Sequence, residues 1–305
     1  MLTVLSGGTG TPKLLQGLKE VLNQDELSVI VNTAEDSWLA HGYFSPDVDT
    51  VLYTLCGLID DGTWHGIKGD SYHTHDQLIA LGYDEFLRIG DLDRATHIQR
   101  GKLLHNGKTL MEAINIQARA LGAKSKVYPM SNDPVATVIV TDEGEMGLHE
   151  FWVARKGKPP VKDVYINGLG DAKACEEAVA AIDEADGVVI GPSNPISSIL
   201  PIVSLPEIKS ALTKKRGRCV AISPLISGKV FSGPAEIFMR AKGLEVSSKS
   251  IAELYNDFID TLIIHETEDA FSSFGVECLK TNTIMNNPSE KKKLAVFILD
   301  LLGMR

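Results

Sequence analysis

The chain has 305 residues, about two domains at roughly 150 residues each. Its 30 basic and 40 acidic residues leave a net charge of −10, and 44% of residues are hydrophobic. This balance excludes a disordered chain and argues against a basic nucleic-acid or membrane-surface binder, while leaving room for a small anionic ligand in a local pocket. No apolar run approaches the ~18 residues of a transmembrane helix, and the opening MLTVLSGG lacks the regions of a signal peptide. Cys56, Cys175, Cys219 and Cys278 lie far apart with no CxxC pair, which points to buried thiols in a reduced, cytoplasmic protein without structural zinc.

Leu2–Ser6 is a short apolar run ending at Gly7-Gly8 and reads as a buried strand. A helix should follow, with Thr11 as N-cap, Pro12 at the first helical position, and Leu14, Leu15, Leu18, Val21 and Leu22 buried. Leu27–Asn32 is a second strand, so the opening is a βαβ unit. From 61 to 122 there is little β pattern. Helical spacing appears over Leu78–Leu87 and Leu110–Leu121, so this stretch reads as a mostly helical insertion. The core is then 1–60 plus 123–305. Beyond it, Val135–Thr141 and Gly147–Arg155 flank a turn signal and predict a hairpin. Strands at Val188–Ile190 and Cys219–Ile222 alternate with helices at Ala172–Glu184 and Leu205–Lys214. Further helices are expected near Ala235–Ala241, Ile251–Phe258 and Ser289–Leu302. The alternation predicts an α/β, doubly wound, mainly parallel Rossmann-like sheet, whose ligand sits beyond the carboxyl ends of the strands.

Several loops carry chemistry. Gly7, Gly8, Thr9, Gly10, Thr11 and Lys13 surround the start of a helix, where free N–H groups and the dipole suit a phosphate. The loop is neither a Walker A motif nor a dinucleotide fingerprint, since Lys13 stands at the third glycine position. A purely structural tight turn is the plainer alternative. In Asn32-Thr33-Ala34-Glu35-Asp36 an acid could hold a ribose hydroxyl, or Asp36 or Asn32 could cap the next turn. Asp47 and Asp49 open an apolar helix at Val51–Ile59. They suit Mg²⁺, or one of them suits a general base, and Asp47 also reads as the helix N-cap. Arg94 and Arg100 could clamp anionic oxygens, although a charged, solvated helix face is the commoner arrangement. Ser193 and Asn194, in Gly191-Pro192-Ser193-Asn194-Pro195, follow a strand and form a rigid second anion loop. Asn132 sits in a turn that could contact a base or ribose. The eight histidines show no metal-ligand spacing, and catalysis is not assigned to them.

Taken together, Gly7-Gly8-Thr9-Gly10, Pro46-Asp47-Val48-Asp49-Thr50, Gly90-Asp91-Leu92-Asp93, Met130-Ser131-Asn132-Asp133-Pro134 and Gly191-Pro192-Ser193-Asn194-Pro195 occur in one order. In this the chain resembles the 2-phospho-L-lactate transferase family of deazaflavin coenzyme biosynthesis almost end to end. Asn132 stands where those transferases often carry aspartate. A related group of nucleotide-sugar-binding regulatory proteins shares much of the pattern and is the alternative. The resemblance implies transfer of a 2-phospholactyl (or enolpyruvyl phosphate) group from lactyl-2-diphospho-5'-guanosine to the ribitol hydroxyl of the deazaflavin Fo, releasing GMP. It also implies Asp49 and Arg88 as Fo contacts, and a homodimer. The few basic residues near the first loop call for Mg²⁺ to balance the diphosphate. The insertion would wall the acceptor pocket, with Trp64, Tyr72, Tyr83 and Phe86 as candidate stacking partners.

Overall fold

The short, largely apolar runs of the sequence become strands buried on both faces, as a covered parallel sheet requires. The computed structural model describes residues 1–230 and 233–304. The N-terminal half runs β1 (Leu2–Ser6), α1 (Gly10–Leu18), β2 (Leu27–Val31), a small hairpin of β3 (Ser37–Leu39) and β4 (Gly42–Phe44), α2 (Pro46–Cys56), α3 (His73–Ala80), α4 (Asp91–His105), α5 (Leu110–Leu121) and β5 (Lys126–Pro129). A side sheet follows, made of β6 (Ala136–Thr141), β7 (Gly144–Gly147) and β8 (Val161–Asn167). The chain then continues through α6 (Glu176–Asp183), β9 (Gly187–Ile190), α7 (Leu200–Val203), α8 (Pro206–Lys214), β10 (Cys219–Ile222), β11 (Leu225–Ile226) and β12 (Lys229–Val230). It closes with α9 (Ala235–Ala241), α10 (Ser248–Tyr255), β13 (Thr261–His265), β14 (Ser272–Ser273), β15 (Val276–Thr281) and α11 (Pro288–Leu301).

The main sheet has eight strands in the order β14-β15-β13-β10-β9-β1-β2-β5, all parallel except the β14–β15 pair. Except for the antiparallel edge strand β14, strand order grows outward in both directions from the β1–β9 pair, so the crevice between their carboxyl ends is the switch point where such sheets bind ligands. Each face carries its own core. Leu14 and Leu18 of α1, Leu52 of α2, Ile114 of α5 and Ile298 of α11 pack on one side. Ile182, Leu212, Phe238 and Ile251 pack on the other. The predicted doubly wound architecture is therefore present. Among the described residues no helix is long and apolar enough to cross a membrane.

Several elements differ from expectation. Helix α1 begins at Gly10 with Thr9 as N-cap, so Thr11 and Pro12 lie inside its first turn. The hydroxyl of Thr11 is drawn away by Ser193 instead of capping. The helix expected over 78–87 is His73–Ala80; it stops at Leu81, and Gly82 follows with φ 83°. The second arm of the hairpin is only Gly144–Gly147, because Glu150–Ala154 winds into a π-helical turn. Helix α5, placed by pattern in the insertion, buries Leu110, Ile114 and Ala118 in the same core as α1 and α2. Eight strands, β3, β4, β8, β11, β12, β13, β14 and β15, carry no predicted counterpart.

Candidate active site

The glycine loop and the loop after β9 lock together. A Cβ on Gly10 would stand 1.9 Å from the Pro192 carbonyl oxygen, and one on Gly7 would stand 2.2 Å from Ser198 Cβ. Conversely, a Cβ on Gly191 would stand 2.1 Å from Thr11 Oγ1. Glycine is required here by close approach, not by backbone angle. Two buried hydrogen bonds bolt the contact: Gly7 N–H donates to Ser193 Oγ at 3.1 Å, and Thr11 Oγ1 and Ser193 Oγ lie 2.7 Å apart. Asn194 Oδ1 accepts from Ile196 N and Ser197 N at 3.0 and 3.3 Å, holding the turn. The two loops expected to bind anions therefore sit side by side at one sheet edge. With α1 uncapped by any side chain, its first N–H groups face the same place.

They open into a cavity of about 740 Å³, whose walls include Gly8, Thr9, Gly10, Lys13, Asp47, Asp49, Arg88, Ser193 and Asn194. Its acid side is desolvated. Asn32 Nδ2 donates to Asp47 Oδ2 at 2.9 Å and also reaches Ser197 O at 3.3 Å. Burial pushes Asp47 up to about 7 even so. Burial, with Asp47 nearby, raises Glu35 well above the ordinary carboxylate range. Asp47 does not cap its helix: Ser45 holds the N-cap position and Pro46 the first turn position, so Asp47 is free to face Asn32 and Gly8. Ser45 Oγ instead donates to Asp36 at 2.7 Å.

Asp49 turns the other way, to α4. The Arg100 guanidinium, fully buried, grips both Asp49 oxygens, with Nη1 3.1 Å from Oδ2. It also donates from Nε to Gln117 Oε1 at 2.9 Å. His97 Nε2 lies 3.2 Å from Asp49 and 3.3 Å from Asp93, and Tyr53 OH donates to Asp93 at 2.9 Å. Burial works against charge on Asp49, but Arg100 and His97 win and hold the carboxyl below its usual range. Burial likewise opposes the charge on His97, and the two carboxylates outweigh it, raising the imidazole to about 9. Further out, His41 bridges His97 at 3.2 Å to Arg94 at 3.0 Å, and Arg94 forks onto Glu85 at 2.9 and 2.7 Å.

This buried ionic face overturns the solvated reading of the helix. In α4 the apolar Leu92 and Ile98 are 56% and 50% exposed, while Asp93, Arg94, His97 and Arg100 point inward. The i, i+4, i+7 spacing of 93, 97 and 100 was the available signal. Asp49, Asp93 and His97 bring ligand atoms within 4.8 Å of one another. With Arg100 already on Asp49 and Tyr53 on Asp93, the group reads as an ion-pair cluster, not a metal cage.

The remaining expected residues divide. Arg88 lines the cavity with its guanidinium 4.0 Å from the Tyr72 ring centroid, and Trp64 lines it as well. Tyr83 and Phe86 are exposed and are not among its walls. Trp152, carried by the π-helical turn and hidden from sequence reading by the strand assignment there, lines the cavity too. Asn132 is exposed and outside the cavity lining; its Oδ1 accepts from Met111 N at 2.9 Å.

Comparison with known proteins adds names to this geometry. The model of the family described as "2-phospho-L-lactate transferase CofD" matches residues 2–295. The chain is 49% identical over 308 residues to a 2-phospho-L-lactate transferase of Methanocaldococcus jannaschii, covering 99% of this chain and 98% of that one. It is 48% identical over 303 residues to the one from Methanothermobacter thermautotrophicus, covering 98% and 97%. A Bacillus halodurans protein superposes with a TM-score of 0.66 at 19% identity over 98% of both chains, which shows a shared fold.

Proposed function

The chain belongs to the 2-phospho-L-lactate transferase family, and on that premise we propose that its cavity joins a guanosine-diphosphate-linked 2-phospholactyl donor to the deazaflavin alcohol Fo. The observation that supports the reading is the contact between the glycine loop and the Pro192–Ser198 loop, which brings both turns close enough for a single diphosphate to meet them. The regulatory, nucleotide-sugar-binding alternative is not favoured, because relatives matching end to end at 44–49% identity carry the transferase name.

In this reading the diphosphate lies over Gly8–Gly10 and beside Ser193 and Asn194, where backbone amides and the α1 dipole stabilise charge as it shifts toward the leaving GMP. Asp49 faces the cavity as an ionised carboxylate whose orientation Arg100 fixes. So held, it is a hydrogen-bond acceptor that aims the ribitol hydroxyl at phosphorus, and not a base that keeps the proton; as the new O–P bond forms and the bond to GMP breaks, that proton passes to the leaving GMP phosphate. Arg88, braced by Tyr72, stands at the acceptor wall.

The residues present fit a divalent cation. Asp47 is a buried oxygen donor whose proton affinity is raised by desolvation, and its Oδ1 lies 2.7 Å from where a Gly8 Cβ would be. Asp47, with Glu35 beside it, would hold Mg²⁺. Bound there, the ion would neutralise diphosphate oxygens that the two loops leave uncompensated.

The test is GMP release from lactyl-2-diphospho-5'-guanosine, with dependence on both Fo and Mg²⁺. Asp49→Asn is expected to lower turnover about a hundredfold while leaving the GDP dissociation constant within about threefold. Parallel loss of both would remove Asp49 from the acceptor side. GDP binding with no GMP release in the presence of Fo would favour the regulatory reading.

A further inference from the structure

Trp64 is a bulky residue with φ 60°, a left-handed backbone that only glycine adopts without cost. The turn that holds it is over-determined: Trp64 N donates to Asp60 O at 2.7 Å, Asp60 N donates to Gly66 O at 3.2 Å, and Ile59 bridges Ile67. This conformation turns the indole into the cavity wall. Two ammonium groups meet the ring there. Lys13 Nζ lies 5.2 Å from its centroid and Lys291 Nζ lies 4.9 Å from it.

Both lysines stand where a cation is unfavourable. Lys13 is in the first turn of α1, at the positive end of the dipole. Burial lowers its pKa, and Lys291 lowers it further. Lys291 cannot retreat, because its carbonyl packs where a Gly17 Cβ would be, at 2.2 Å, and its Nζ donates to Gln16 Oε1 at 2.7 Å. The π face offsets part of these costs, since its quadrupole attracts a partly desolvated ammonium. Two chain segments far apart in sequence thus converge on the Trp64 indole beside the glycine loop.

We propose that Trp64 is a positioning residue: its π face holds the Lys13 ammonium at the glycine loop, and Lys291 of α11 braces the same ring from the C-terminal helix, so that Lys13 meets the diphosphate of the donor. This inference rests on the functional reading above. Lys13 contacts the ligand, and Trp64 acts through it.

The experiment replaces Trp64 in the full chain, site-specifically, with tryptophans carrying one, two and four ring fluorines. These keep the shape of the side chain and progressively empty the face of its negative charge. GDP is the probe and calorimetry reads its dissociation constant. The constant should rise stepwise with fluorination, to about five- to tenfold in all. In a Lys13→Met background the same series should be flat. A flat series with Lys13 present, or an equal slope without it, overturns the inference. Failure of GDP to bind the unaltered chain would overturn the functional reading beneath it, which a flat series on a binding protein would not.

Discussion

Gly10→Ala would drive a wedge between the two anion loops. The new carbon would lie 1.9 Å from the Pro192 carbonyl oxygen and 2.9 Å from its carbon. Such a carbon–oxygen contact needs about 3.3 Å, so the loops must part by roughly 1 Å or more. Both partners are backbone, and no rotamer change relieves them. Parting them strains the Gly7–Ser193 and Thr11–Ser193 hydrogen bonds, both buried. Overpacking costs about 1–3 kcal/mol and each buried hydrogen bond about 1, so a loss of about 3–5 kcal/mol follows. At this chain length that lowers the melting temperature by about 5–8 °C. Displacing one phosphate-binding loop by that distance should weaken GDP about a hundredfold. Calorimetric melting and GDP titration measure the two effects. Gly147→Ala is the control, because no heavy atom lies within 4 Å of its Cβ position and its φ is not positive; it should melt within about 1 °C of the parent. A Gly10→Ala protein that melts and binds GDP like the parent would show that the loops are not clamped at this point.

Burial holds Asp47 at about 7 in the folded chain, against about 3.9 when unfolded. The folded state therefore binds this proton more tightly, and the resulting stability is complete below about pH 4 and lost as pH rises through 7. Asp47→Asn should accordingly raise the melting temperature at pH 8, by an amount worth at most about 4 kcal/mol, and change it little at pH 4. Equal shifts at both would refute the burial argument. Mg²⁺ should stabilise the parent chain at pH 8 and fail to stabilise Asp47→Asn, as melting curves with and without the ion would show. Asp70 caps α4 by accepting from Leu92 N at 2.9 Å and Asp93 N at 3.0 Å. Asp70→Ala should cost about 1 kcal/mol and speed protease cleavage between residues 73 and 92; an unchanged cleavage rate would contradict that role.

What the sequence made legible was whatever the local pattern determines. Leu2–Ser6, Leu27–Val31 and the β9 run are continuous apolar stretches next to glycine or polar stops, so strand, loop and sheet edge could be read directly. Strand β13, with sequence TLIIH and buried from Leu262 to His265, is as apolar as a helix segment, so local pattern does not mark it as a strand. The interlock of Gly10 with Pro192 joins positions more than 180 residues apart, and no local rule reports such a contact. Helix α4 misled because hydrophobic periodicity assumes apolar residues face inward, whereas here Arg100 and His97 are buried against Asp49. Asn132 had the composition of a ligand-binding turn, yet its side chain receives an N–H of the first turn of α5.

The position of β1 has a consequence for biosynthesis. Its neighbour β9 pairs Gly187 with Leu2, about 185 residues downstream. At about 5–20 residues per second, a ribosome takes some ten seconds or longer to deliver that partner. Until then the first strand has one open edge and the glycine loop has nothing to close against. A nascent chain interrupted before the Pro192 turn emerges would carry only half of the proposed phosphate grip, so on that reading nucleotide would reward a chain that is nearly finished rather than assist the early stages of folding.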